Sequence, residues 1–323
     1  MKKIDAHVHL TSLLFPQDIF PQPHENPLDG DCPKKAFELM EKHGIDSCLA
    51  LAGMGISVLP LENDMMIKMA ELAPDKIAGV MVGFSQPKET PWMYNTKDAV
   101  DEIENYMKNP VVKGFGEVAL SCLAHMTLDW GDIWEKLRPV FDVLAAHNAP
   151  ALFHTGGFPQ FFVPGAGRVR ATRALYYSNP IFIDDIATEY PDVPIIIAHA
   201  GVQGFYSFGN YSDMAITVAA RNANVYIEGS SVPYEVLLKC IEDPAIGPEK
   251  VIFGTDTPAF FQYHKSPSTG EYYPSYGKTG PGPETPDHYI VDLENIDRLP
   301  ITAEQKEMIL GGNIQRLIDA KKE

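Results

Sequence analysis

Cysteine is scarce in this sequence, and the four that occur (Cys32, Cys48, Cys122 and Cys240) are scattered without a CxxC pair. That argues against a disulfide framework and fits reduced, mostly buried thiols in a cytosolic protein. Long apolar runs are missing too, since no segment approaches the ~20 residues needed to span a bilayer. The first residues, MKKIDAHVHL, carry two lysines with no apolar stretch behind them, so no signal peptide is expected. Positive charge is also in short supply. Lys and Arg total 26 against 43 Asp and Glu, a formal charge of −17. Such a surface repels phosphate backbones and anionic membranes. The expected setting is the cytoplasm and the expected partner a small molecule. Nucleic acid and membrane are not expected partners, and a homodimer is the default assembly.

What is present is an ordinary globular balance, 45% hydrophobic and 21% charged over 323 residues. That is enough to bury a full core. Short apolar runs alternate with longer amphipathic ones. Strands are expected at 3–9, 45–51, 77–83, 111–119, 149–154, 194–199, 224–228 and 250–255. Runs such as PIIIAH and VIFGTD are apolar throughout, as parallel strands covered on both faces should be. Helical spacing fills 33–43, 63–72, 97–108, 131–146, 179–190, 209–222, 233–241 and 302–320, the last opening on Thr302-Ala-Glu-Gln305 in the form of a capping box.

Eight strands, each followed by a helix, point to an α/β fold, a single (β/α)8 TIM-type barrel over 1–323. An open doubly wound sheet would carry a Gly-rich phosphate loop after the first strand, and HVHLTSLLFPQ has none. Two connections exceed ordinary length, 10–32 and 258–300, after strands 1 and 8. Both belong to the catalytic face of such a barrel, where a substrate-covering lid is expected.

The chemistry collects at strand ends. His7 and His9 share parity on the first strand, so both imidazoles can converge inside the barrel mouth. The fifth strand ends in His154, the sixth in His199 and the eighth in Asp256. Each polar residue closes an apolar run where barrel strands deliver catalytic groups. Imidazole nitrogen mixed with carboxylate oxygen suits zinc, with manganese, iron or cobalt as alternatives.

HVH on strand one, FHTGG after strand five, AHAG after strand six and FGTDTP after strand eight resemble the amidohydrolase superfamily. The closer resemblance is to its amidohydrolase-related branch, which contains aminocarboxymuconate-semialdehyde decarboxylase. It spans essentially the whole chain and implies a distorted barrel. It also implies His7, His9, His154 and Asp256 as metal ligands, with His199 as the acid–base residue.

Glu117 complicates that ligand set. It stands near the end of the fourth strand, in GFGEVAL, which resembles the GEIGL-type strand of TatD-type hydrolases, where such a glutamate joins the metal site. With Glu117 and His199 added, the donors suffice for two ions, although one is the expected number. A carboxylate that merely orients a ligand histidine is the alternative. Lys113 shares parity with Glu117 but lies ~13 Å away along the strand. That places it near the barrel floor, as a core or salt-bridge lysine.

The expected function is a metal-dependent hydrolase of the amidohydrolase superfamily, in which metal-activated water attacks a small amide, lactone, ester or vinylogous carbon–carbon bond. His199 and Asp256 are the expected catalytic residues. After strand five, Phe158 offers an apolar wall, and Arg168, Arg170 and Arg173 offer grips for a carboxylate. Arg168, Arg170 and Phe158 are the expected substrate contacts. The alternative reaction is non-oxidative decarboxylation of an aromatic or unsaturated acid. A catalytically dead barrel is disfavoured, because none of the expected positions is missing.

Overall fold

Eight parallel strands pair in the order β1 (Ile4–His9), β2 (Ser47–Leu51), β3 (Ile77–Val82), β4 (Val112–Ala119), β5 (Ala151–His154), β8 (Ile195–Ile197), β9 (Val225–Glu228) and β10 (Val251–Ile252). The computed structural model describes residues 1–11, 18, 24–51, 60–84, 96–120, 129–156, 161–163, 167–169, 174–202, 211–257, 261–265, 272–276 and 288–322. The sheet curls until its ends meet. Ala6 N donates to Phe253 O at 3.0 Å and His9 N to Thr257 O at 2.7 Å, which nearly closes a barrel. Helices lie between successive strands. Among the described residues no helix is long and apolar enough to cross a membrane.

Two apolar layers hold this arrangement. Outward-facing strand residues such as Val80, Phe115, Phe153, Ile195 and Ile227 pack with buried helix residues such as Met40, Met69, Leu137, Leu144 and Val218. Inside the barrel, Ile4, Leu49, Met81, Leu152, Ile196 and Ile252 meet Ile314, Leu317 and Ile318 of the last helix, Asn313–Asp319. The barrel floor is therefore plugged by the C-terminal segment. Gly311, in the π turn Met308–Gly312 before that helix, lies so close to the Lys2 carbonyl that a Cβ would collide with it.

Helix ends follow local chemistry. Asp129 caps Trp130–His147 by accepting the Gly131 N–H at 2.8 Å. Thr302 and Gln305 form the expected capping box at 3.2 and 3.0 Å.

The structure corrects several expectations. The sixth strand ends at Ile197, and His199 stands in the turn Ala198–Gly201 instead. Regular pairing in the eighth strand covers only Val251–Ile252, because the following residues turn to bond to β1 and to the Ile309 carbonyl. The stretch 258–300 is not structureless where it is described. It holds the antiparallel pair β11 (Phe261–Lys265) and β12 (Tyr272–Tyr276) and the helix His288–Asp297. That helix buries Tyr289, Asp292 and Ile296 on one face at helical spacing. A second short pair, β6 (Phe161–Val163) with β7 (Gly167–Val169), follows β5.

Candidate active site

His154 closes the regular strand β5, whereas most of the other candidate side chains reach the barrel mouth by a departure from regular strand. In β1 the register slips between Asp5 and Val8, so Ile4 and Ala6 pack into the floor while His7 and His9 both turn to the site. In β4 a slip between Phe115 and Val118 brackets Gly116, whose φ of 154° is open to glycine. A Cβ there would lie 2.8 Å from Leu152 O. Lower on the same strand, Lys113 packs beside Gly79, next to the interior residue Leu49.

His199 (φ 61°) and Asp256 (φ 59°) both occupy the left-handed region. Non-glycine residues enter it at a cost, and such residues cluster at functional sites. The His199 turn is held by Thr155, which donates to Ala198 O at 2.6 Å and accepts from Gly201 N at 2.9 Å.

Four donor atoms then converge. His7 Nε2 lies 3.2 Å from His9 Nε2, 3.6 Å from Glu117 Oε2 and 3.6 Å from Asp256 Oδ1. His9 Nε2 lies 3.5 Å from Glu117 Oε2 and 3.2 Å from Asp256 Oδ1. Ligands held tetrahedrally at ~2.0–2.2 Å from one ion stand about 3.3–3.6 Å from each other. These five separations and the donor types suit a divalent cation, and His7, His9 and Asp256 together form a group that could hold one.

The other oxygen of Glu117 faces a second group. Its Oε1 lies 2.7 Å from His154 Nδ1 and 3.3 Å from His199 Nε2. Among the described residues, three clusters could hold an ion: His7, His9 and Asp256; Glu117, His154 and His199; and His7, His199 and Glu228. His154 thus groups with Glu117 and His199, apart from the His7, His9 and Asp256 group.

Charge inside this buried cluster is mutually supporting. Burial opposes protonation of His7 and His9, yet the nearby Glu117 and Asp256 carboxylates outweigh it. His7 is held well above its usual range and His9 is raised to about 9. Burial likewise opposes ionisation of Glu117, but His154 and His7 bring it well below the carboxylate range. Burial works against Asp256 too, and the charges of His7 and His9 still lower it. A bound cation would take the place of those ring protons, so metal uptake releases protons.

Sequence reasoning missed Glu228, Ser230 and Asp5. Glu228 closes β9 in VYIE, the same signal that singled out the other strand ends. Its Oε1 accepts from Ser230 N at 2.8 Å, and its Oε2 from His199 N at 3.1 Å and Ser230 Oγ at 2.9 Å. Gly254 makes the room, since a Cβ there would collide with Glu228 Oε1 and lie 2.9 Å from His7 Cβ. Arg168 lies in β7, where only its backbone is described. Phe158, Arg170 and Arg173 lie outside the described residues.

Residues 4–319 match the family described as Amidohydrolase. The chain belongs to the amidohydrolase family. No curated protein matches this amidohydrolase at significance. Among solved structures it resembles 5-carboxyvanillate decarboxylase from Sphingomonas paucimobilis, with a TM-score of 0.60 at 16% identity over 98% of this chain and 99% of that one. It also resembles 4-oxalomesaconate hydratase from Rhodopseudomonas palustris, with a TM-score of 0.61 at 16% identity over 98% and 96%. A third is a dihydroxybenzoic acid decarboxylase from Polaromonas sp. JS666 with bound manganese and 2-nitroresorcinol, with a TM-score of 0.56 at 14% identity over 98% and 97%. At such identities the likeness is one of fold, the TIM barrel.

Proposed function

We propose that this amidohydrolase is a metal-dependent hydrolase of small carbonyl compounds, carboxylated rings among them. The observation that carries this reading is the position of Glu117, one oxygen facing His7 and His9 and the other facing His154 and His199. A carboxylate shared in this way suits one ion or two. The ligands would be His7, His9 and Asp256 with Glu117, and His154 on the far side of that glutamate. Zinc suits the donor set, with manganese, iron or cobalt as alternatives. The cation would supply Lewis acidity toward a carbonyl oxygen and toward water.

The chain's own groups handle the protons. Asp256, kept ionised by His7 and His9, is the candidate proton acceptor. His199 would orient the nucleophile or protonate the leaving group through Nε2, which already faces the site. Phe158, Arg168 and Arg170 remain the proposed substrate contacts.

Non-oxidative decarboxylation of an aromatic or unsaturated acid is the second reading. It is favoured by the placement of His199 on its own turn, apart from the His7, His9 and Asp256 group, where a proton donor to carbon would stand.

The test pairs metal analysis with two substrate panels, lactones, esters and amides against hydroxybenzoates and muconate-like acids. Hydrolysis that stops on chelation, with metal lost from Glu117→Gln, is the expected result. Carbon dioxide release without hydrolysis would transfer the assignment to the second reading. A Glu117→Gln enzyme with full metal and full activity would overturn the role given to Glu117.

A further inference from the structure

One buried carboxylate touches the surroundings of two site histidines. Glu228 is fully buried, and its Oε2 faces His7 Nδ1 at 3.5 Å. The same oxygen accepts the Ser230 hydroxyl at 2.9 Å, and the Ser230 Oγ stands 2.8 Å from His199 Nδ1. An ionised carboxylate only accepts hydrogen bonds, and a hydroxyl has one proton to give. If that proton goes to Glu228, Ser230 Oγ can only accept from the histidine. Nδ1 of His199 must then carry hydrogen. The Ser230 carbonyl, 3.4 Å from the same nitrogen and also an acceptor, agrees with that direction. For His7 the argument is direct: Nδ1 faces Glu228 and donates to it, so the proton a bound cation would displace is the one on Nε2.

We infer that Glu228 is a positioning residue that sets the tautomer of two histidines at once, His7 directly and His199 through the Ser230 hydroxyl. Each then carries hydrogen on Nδ1 and turns Nε2 toward the site. This couples a candidate metal ligand to the candidate proton-transfer group through one carboxylate. The coupling is the same whether the site hydrolyses or decarboxylates. Gly254 belongs to the device, because any larger residue would displace the carboxylate.

Ring-nitrogen NMR of protein labelled with ¹⁵N-histidine reads this without a substrate. His7 and His199 are assigned by His7→Gln and His199→Gln, and spectra are taken metal-free and with zinc as the probe. In the wild type, Nδ1 of both rings should fall in the protonated range under both conditions. An unprotonated Nδ1 on His199 would overturn the Ser230 arm, and one on His7 would overturn the Glu228 arm. This measurement decides the matter even if the Ser230 and Glu228 variants fail to fold.

The variants separate the arms. Ser230→Ala should move His199 toward the Nε2–H form and leave His7 unchanged, while Ser230→Thr keeps the wild-type pattern. Glu228→Gln should disturb both rings and weaken zinc binding roughly 10–100-fold. Unchanged spectra in Ser230→Ala, or unchanged zinc affinity in Glu228→Gln, would count against the corresponding arm.

Discussion

Asp5 bonds to Thr255 across the seam of the barrel. Its Oδ1 accepts the Thr255 N–H at 3.0 Å and its Oδ2 accepts the Thr255 hydroxyl at 2.6 Å. Tyr289 donates to the same Oδ2 at 2.6 Å, and the His7 N–H to Oδ1 at 3.1 Å. The first strand, the segment that follows β10 and the helix His288–Asp297 thus meet on one buried carboxylate.

Removing that carboxylate should loosen the seam. In Asp5→Ala the buried donors of Thr255 and Tyr289 lose their acceptor, at ~1–3 kcal/mol for each donor stranded. With the Thr255 N–H, the Thr255 hydroxyl and the Tyr289 hydroxyl all stranded, a loss of roughly 3–9 kcal/mol in urea unfolding is expected, with Tyr289→Phe milder at ~1 kcal/mol. An Asp5→Ala protein as stable as the wild type would mean the seam is held by the backbone bonds alone.

Gly254→Ala should damage the site more than the fold. Its new methyl would meet Glu228 Oε1 and His7 Cβ, so metal retained after dialysis should fall sharply. Gly44→Ala is the control. Its Cβ meets nothing, and the cost is the strain of φ +65°, ~1–2 kcal/mol. Equal metal content in the two variants would contradict the crowding argument.

His7 and His199 should separate binding from turnover. On the proposed ligand set, His7→Ala loses metal and activity together. His199→Ala should keep an ion at His7, His9 and Asp256 while turnover falls by ~10²–10⁴. Metal analysis beside a rate measurement distinguishes the two. A His7→Ala enzyme with its full metal content would remove His7 from the ligand set.

Lys250 gives a pH signature far from the site. Burial lowers its amine to about 8, while it donates to the carbonyls of Ala219 and Asn222. The unfolded chain holds its proton up to about 10.5. Between those values the unfolded state binds more protons, so folding gains stability as pH rises. Denaturation of wild type and Lys250→Met from pH 7 to 10.5 should show the wild type gaining on the variant above pH 8. A constant difference would mean the ammonium stays charged in the fold.

Much of this architecture is legible in short-range pattern. Apolar runs ending in His9, His154 and Asp256 mark barrel strands and their open ends, because a parallel strand is buried on both faces and sheds polar residues only at its tip. The helix His288–Asp297 escaped notice, because its apolar positions sit in a stretch rich in Pro, Gly and Tyr. Glu228 was readable as the closing residue of VYIE, but one carboxylate at one strand end looks like any exposed loop acid. Ser230 gave no signal at all. Its role depends on a residue at position 199 that turns back through a left-handed bend.

From sequence alone came the barrel, the family resemblance and the histidines and carboxylates at its mouth, since periodicity and strand-end chemistry are local properties of the chain. Tertiary structure alone decided which donors share a point. Register slips in β1 and β4, and the left-handed turns at His199 and Asp256, set the side-chain directions. Those directions place Glu117 between two groups of histidines and Glu228 behind two of the rings. Strand parity cannot foresee them, because a single slipped residue reverses the face on which every later side chain points.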